Sequence, residues 1–153
     1  MKISIKMISL LLPAFLLAVT MSAQVNGGDQ EELSVVKTFQ DTDLQWGPCP
    51  SFMPEGCGIA VLHGDPAKKN SDIFLKVEPN SEIANHWHTS AERMVLISGE
   101  MEVTYEGEET VALKAGSYAY GPARKPHWAK CGDAGPCVLF IAFEEPVDAI
   151  PKE

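Results

Sequence analysis

Three of the four histidines and one glutamate stand at intervals that suit a metal ion. His86 and His88 flank Trp87. Successive side chains of a strand alternate faces, so both imidazoles point one way and Trp87 the other. Glu92 follows with the same parity, and a bend at Thr89, Ser90 and Ala91 would bring its carboxylate to the same point. Two imidazoles and a carboxylate are a known ligand set for a divalent ion. Burying them together with neither ion nor solvent would cost roughly several kcal/mol. His127 follows Gly116-Ser-Tyr-Ala-Tyr-Gly-Pro122-Ala-Arg-Lys-Pro126, and a closed antiparallel barrel can return it beside the first two. His63, alone before Gly64-Asp65-Pro66, reads as a structural residue, because a metal site needs several converging ligands.

Neutral imidazoles with one carboxylate suit iron(II), manganese(II), zinc, nickel or cobalt, and affinity order does not choose among them. With open positions left on the ion, such a site serves Lewis-acid activation or dioxygen chemistry. Arg93, Tyr105, Tyr118 and Tyr120 are the candidates for groups around the ion. Tyr118 and Tyr120 share a face, so both line the pocket or neither does, and packing is the commoner role of aromatics in a barrel. Trp87 and Trp128 adjoin ligand positions and read as outward wall residues. Met94 and Leu96 have the ligands' parity and are expected to line the pocket with hydrocarbon.

The elements that must hold these groups are short. Apolar runs alternate with turn residues: Gly58 to Leu62, Ile73 to Val77, Met94 to Ile97, Met101 to Tyr105, Val111 to Leu113, Tyr118 to Tyr120 and Val138 to Phe143. No stretch carries a helical apolar stripe over three turns. The pattern predicts an all-β sandwich, jelly roll or barrel, which is a container.

Residues 1–23 read as an export signal, with Lys2 and Lys6 before an apolar run from Met7 to Val19 and small residues Ser22 and Ala23 after it. Pro13 interrupts that run, and no later stretch of about 18 apolar residues offers a membrane span. Residues 24–43 are polar and acidic around a brief patch at Leu33 to Val36, a leader or a crossing strand. The remaining 44–153 make one domain with room for one core. The net charge of −9 becomes more negative when a signal holding two lysines and no acid is removed, which disfavours nucleic acid and anionic membrane as partners. A homodimer through an exposed edge strand is compatible with the architecture. No nucleophile elbow or phosphate-cradling glycine loop appears.

All four cysteines follow the signal, and export to an oxidising compartment, periplasmic or extracellular, favours disulfides. Three pairings are open, and the two close pairs, Cys49 with Cys57 and Cys131 with Cys137, are preferred. Zinc ligation is the rival reading, against which stands the absence of the usual two-residue gap.

These intervals resemble the two motifs of the cupin superfamily. The first runs Gly, five residues, His-x-His, three or four residues, Glu, six residues, Gly. Asn80 takes the place of the first glycine, and His86, His88, Glu92 and Gly99 match. Asn tolerates the left-handed backbone that glycine would supply. The second runs Gly, five residues, Pro-x-Gly, two residues, His, three residues, Asn. Gly116, Pro122 and His127 match, while Arg124 replaces the inner glycine and Cys131 the asparagine. With Trp46-Gly-Pro-Cys-Pro upstream, the chain is similar to the small ChrR-like and acetylacetone-cleaving group. The resemblance implies a double-stranded β-helix, or jelly-roll barrel, with one divalent metal on His86, His88, Glu92 and His127. The open-sided ligand set points in turn to a metal-dependent enzyme acting on a small organic molecule, a dioxygenase or else an isomerase or lyase working through a chelated enolate. Fold alone leaves open a non-catalytic module that binds or senses a small ligand.

Overall fold

The computed structural model describes residues 32–153, so the expected signal at 1–23 lies outside the described residues, as do residues 24–31. Each apolar run between turn residues has become a strand, and no helix occurs among the described residues. In order the strands are β1 (Trp46–Pro48), β2 (Gly58–His63), β3 (Ser71–Val77), β4 (Glu82–Trp87), β5 (Glu92–Ser98), β6 (Glu100–Tyr105), β7 (Val111–Lys114), β8 (Tyr118–Gly121), β9 (His127–Cys131), β10 (Cys137–Phe143) and β11 (Ile150–Pro151). They form two antiparallel sheets, ordered β1-β2-β3-β10-β5-β8 and β11-β4-β9-β6-β7. Apart from the β1–β2, β2–β3 and β6–β7 pairings, neighbouring strands are not consecutive in sequence, as in a jelly roll, and the all-β expectation holds.

The core follows from alternation. On β9, His127, Ala129 and Cys131 are buried while Trp128 and Lys130 face water. On β5 the inward row is Glu92, Met94 and Leu96, and on β10 it is Cys137, Leu139, Ile141 and Phe143. These rows meet Ile73, Leu75, Val77, Ile83, Met101, Val103 and Leu113 in one cluster between the sheets. A smaller cluster lies outside the first sheet, where Phe39, Leu44 and Trp46 pack on Ala60, Phe74 and Val138. The segment leading to it, from residue 32 to 43, forms no strand, and Val35 and Val36 are exposed.

Both preferred disulfides are present, Cys49–Cys57 and Cys131–Cys137. The second joins the end of β9 to the start of β10, which belong to opposite sheets. Asn80 and Arg124 both adopt left-handed backbone, at φ 62°. Asn80 is the tolerant substitution expected there. Arg124 is not tolerant, and its N–H is committed to the His88 carbonyl at 2.7 Å.

Candidate metal centre

His86 and His127 face each other across the β4 and β9 register, next to a bulge between Ile83 and His86 that re-aims the strand end. His88 lies one residue past β4 and keeps its parity. One ring nitrogen from each of the three lies within 4.8 Å of the others, and all three side chains are buried. Glu92 opens β5 on the opposite sheet, and its Oε2 stands 3.4 Å from Nε2 of His88 and 3.7 Å from Nε2 of His127.

Backbone carbonyls orient the imidazoles. Nδ1 of His86 donates to the Ala84 carbonyl at 2.7 Å, Nδ1 of His127 to the Lys125 carbonyl at 3.1 Å, and Nδ1 of His88 to the Asp148 carbonyl. With the proton held on Nδ1, the lone pair of each ring sits on Nε2, the tautomer that ligation needs. Each ring is also backed by another: Phe52 on His86 at 5.8 Å between centroids, Phe143 on His88 at 5.7 Å and Tyr105 on His127 at 4.9 Å.

Burial sets the charge states. Desolvation holds His88 down to about 4 and His127 to about 3, and it lowers His86 as well. The same loss of water, aided by the neighbouring Asp148 charge, pushes Glu92 up to about 8. The distances to Glu92 are those of ion pairs, but burial drives both partners toward their neutral forms and so disfavours the charged pair. A cation would reverse the carboxyl's state, so three neutral nitrogen donors and one ionisable oxygen fit a divalent ion.

The four groups sit at one end of a cavity of about 180 Å³. Met94, Leu75, Met101, Leu113 and Leu139 line its floor. Leu96, expected in that lining, is fully buried deeper in the core. Of the four residues expected around the ion, the structure brings only Tyr105 to the cavity. Tyr118 and Tyr120 are 62% and 53% exposed, and Arg93 points outward to pair with Glu144. Arg93 is opposite in parity to Glu92, which excludes it. On β8 the inward residues are Ala119, which lines the cavity, and Gly121. A Cβ at Gly121 would lie 2.6 Å from Tyr105 Oη and 3.2 Å from Glu92 Oε2. The space before β8 is thus taken by the tips of Tyr105 and Glu92, and the large tyrosines must face out.

Several contributors escaped the sequence. Asp148 accepts from Nδ1 of His88 through its carbonyl and from Thr89 N–H at 2.9 Å and Thr89 Oγ1 at 2.6 Å through its carboxylate. Buried Ser90 accepts the N–H groups of Glu144 at 2.9 Å and Glu145 at 3.1 Å, tying the β4–β5 turn to the chain beyond β10. Pro50 and Met53, inside the Cys49–Cys57 loop, close one side of the cavity, and Val147 and Ala149 another. These contacts span the length of the domain and leave no local pattern.

Residues 73–143 match the family described as a cupin domain. No curated protein matches the chain in sequence. Among solved structures it is similar to the DMSP lyase DddQ from Ruegeria pomeroyi, at 16% identity and TM-score 0.62 over 71% of this chain and 61% of that one. It is also similar to the polyketide cyclase RemF from Streptomyces resistomycificus, at 17% identity and TM-score 0.64 over 77% of this chain and 86% of that one. A third likeness is to an oxalate decarboxylase of Bacillus subtilis with Mn(II) centres, at 17% identity and TM-score 0.56 over 71% of this chain and 30% of that one. The chain spans 61% and 63% of the lengths of two lyases it matches. At such identities the likeness establishes the double-stranded β-helix fold and leaves the reaction open.

Proposed function

We propose that the chain, whose residues 73–143 match the cupin domain family and whose fold is the double-stranded β-helix, is an exported metal-dependent enzyme acting on a small organic molecule. The observation that carries this reading is the convergence of three buried, neutral imidazoles on one point in an apolar cavity. His86, His88 and His127 would hold one divalent ion through Nε2, with Glu92 as the fourth ligand. Such an ion supplies Lewis-acid activation of an oxygen-bearing molecule or, as iron, reaction with dioxygen. The reaction class favoured is therefore a dioxygenase, with an isomerase or lyase next.

The chain's own residues do the rest. Carbonyls of Ala84, Lys125 and Asp148 fix the ring tautomers. Hydrocarbon from both sheets excludes water, which strengthens every electrostatic contact inside. Glu92, whose neutral form burial favours, would give up its proton to serve as a ligand to a divalent ion. Two disulfides fit an oxidising compartment, periplasmic or extracellular.

Elemental analysis of freshly purified protein should find close to one divalent ion per chain, and the His86→Ala and His127→Ala variants should lose it. Metal-reconstituted protein, iron included, should show oxygen uptake or turnover within a panel of diketones, catechols and hydroxy acids. Metal retention without any turnover would favour the non-catalytic binding module.

A further inference from the structure

The three imidazoles are not oriented in the same way. His86 and His127 each donate from Nδ1 to a carbonyl two residues earlier in their own segment, those of Ala84 and Lys125. His88 donates instead to the carbonyl of Asp148, 60 residues further along the chain. Two rings therefore take their orientation from the backbone that carries them. The third depends on a distant segment being in place.

That segment is the chain beyond β10. Val147, Asp148 and Ala149 form part of the cavity wall, and β11 runs beside β4 at Trp87 and His86. Val147 N–H donates to the Pro66 carbonyl and Lys152 N–H to the Asn85 carbonyl, both at 2.9 Å. Between these ties the Asp148 carboxylate accepts from Thr89 N–H at 2.9 Å and Thr89 Oγ1 at 2.6 Å. Thr89 and Ser90 belong to the bend that joins His88 to Glu92, and Ser90 accepts the N–H groups of Glu144 and Glu145. The same stretch thus holds the ring of one ligand and the bend that leads to the next. Any residue at 148 would offer a backbone carbonyl. What Asp148 adds is a side chain that takes both donors of Thr89, in bonds strengthened by its charge, and so fixes where its own carbonyl stands.

We propose that Asp148 is a positioning residue for the metal site: its clasp on Thr89 sets its carbonyl against Nδ1 of His88, so that docking of the C-terminal strap and binding of a divalent ion reinforce each other. This deepens the metal reading given above and rests on it. A proton held on Nδ1 leaves the lone pair of His88 on Nε2. With the strap displaced, that ring is free to turn or to carry its proton on Nε2, and only His86 and His127 remain oriented. Coupling of this kind is reciprocal, so whatever strap docking contributes to metal affinity the metal returns to strap docking.

The test compares wild type, Asp148→Ala and Asp148→Asn as full chains at neutral pH. Asn keeps an acceptor for Thr89 N–H and a donor for Thr89 Oγ1, so it preserves the clasp without the charge. Zinc affinity, measured by competition with a chromophoric chelator, should fall about tenfold or more in Asp148→Ala, the usual cost of losing a partner that orients a ligand. Asp148→Asn should recover most of that loss. In metal-free protein, NMR of the ring nitrogens should find Nδ1–H on His86, His88 and His127 of wild type. Asp148→Ala should disturb His88 alone, which a general loss of structure would not do. Zinc should also slow hydrogen exchange at the Val147 and Lys152 amides, and slow it less in Asp148→Ala. Thr89→Val removes one donor from the other side of the clasp and should repeat the pattern more weakly, which keeps the test open if Asp148→Ala does not fold. An undisturbed His88 ring, all three rings disturbed together, Asn as weak as Ala, or bound zinc without slower exchange in the strap would each overturn the proposal. If no sample takes up zinc, the metal reading fails and the ring spectra alone decide whether Asp148 positions His88.

Discussion

The two ends of the barrel interior are built on the same inward rows and do opposite things. On β9 the row begins at His127 and ends at Cys131; on β5 it begins at Glu92 and ends at Leu96; on β10 it runs from Phe143, behind His88, to Cys137. One end thus gathers imidazoles, a carboxyl and a phenol. The other gathers Val77, Leu96, Met101 and the Cys131–Cys137 bridge, all buried in the same cluster. The polar end gives up stability, since each buried polar group has lost its water. The apolar end supplies stability, and by stapling β9 to β10 it holds the sheets at the spacing the polar end needs. Alternation makes such a division possible, because a strand can change chemistry along its length without changing its face.

The sharpest way to separate the ends is to cut into the apolar one. Leu96 is fully buried and outside the cavity lining, so Leu96→Ala should cost about 2–5 kcal/mol in urea unfolding. Metal content per folded molecule should stay at the wild-type value. If the ion is lost in proportion to stability, the ends are not separable and the division fails.

A second test probes the polar end alone, through the pH dependence of metal-free protein. His88 and His127 have folded values of about 4 and 3 against an ordinary 6.5, so below pH 6.5 the unfolded chain takes up protons that the native state refuses, and stability falls as pH falls. Glu92 has a folded value of about 8 against 4.5, so between those values the native state keeps a proton that the unfolded chain releases, and stability falls as pH rises. Below 6.5 the histidines outweigh the single carboxyl; above it the carboxyl acts alone. Stability should therefore peak near pH 6.5 and fall by about 2 kcal/mol on reaching pH 8. The same peak, lowered throughout, should appear in Leu96→Ala. A flat profile would mean that the four groups are solvated and that the polar end is not a desolvated site.

The sequence shows the apolar end almost whole, because runs such as Ile73 to Val77 and Val138 to Phe143 declare themselves by burial period and length. At the polar end it shows less. His86 and His88 follow from parity alone, but Glu92 comes from the opposite sheet and His127 from across a bulged register, so their convergence depends on barrel closure, which only the motif resemblance anticipates. Asn80 is legible as a left-handed position, whereas Arg124 takes the same φ with no tolerance for it. Tyr118 and Tyr120 mislead for a physical reason. Hydrophobicity assigns aromatics to an interior, and β8 instead turns in Ala119 and Gly121, because Tyr105 and Glu92 have already filled the space. Asp148 and Ser90 were illegible since their partners lie roughly a third of the chain away and carry no motif.

That filled space yields the smallest effect and the finest test of how the polar end is assembled. Gly121→Ala would put a Cβ 2.6 Å from Tyr105 Oη and 3.2 Å from Glu92 Oε2, and overpacking of this kind costs about 1–3 kcal/mol. In a Tyr105→Phe background the hydroxyl is gone, and the nearest remaining contact on that ring is Cζ at 3.4 Å, an ordinary van der Waals distance. The alanine should then be tolerated better, with a coupling of about 1 kcal/mol between the two substitutions in a double-mutant cycle by urea unfolding. Residual cost in the double variant would report the Glu92 contact and should disappear in part with Glu92→Ala. Strict additivity would show that the tyrosine and the glycine are not fitted to each other, and β8 would then be small-faced for a reason that lies elsewhere. Coupling would show that the site's hydroxyl and its glycine were selected as a pair, which is what separates a working polar end from a hole in an apolar core.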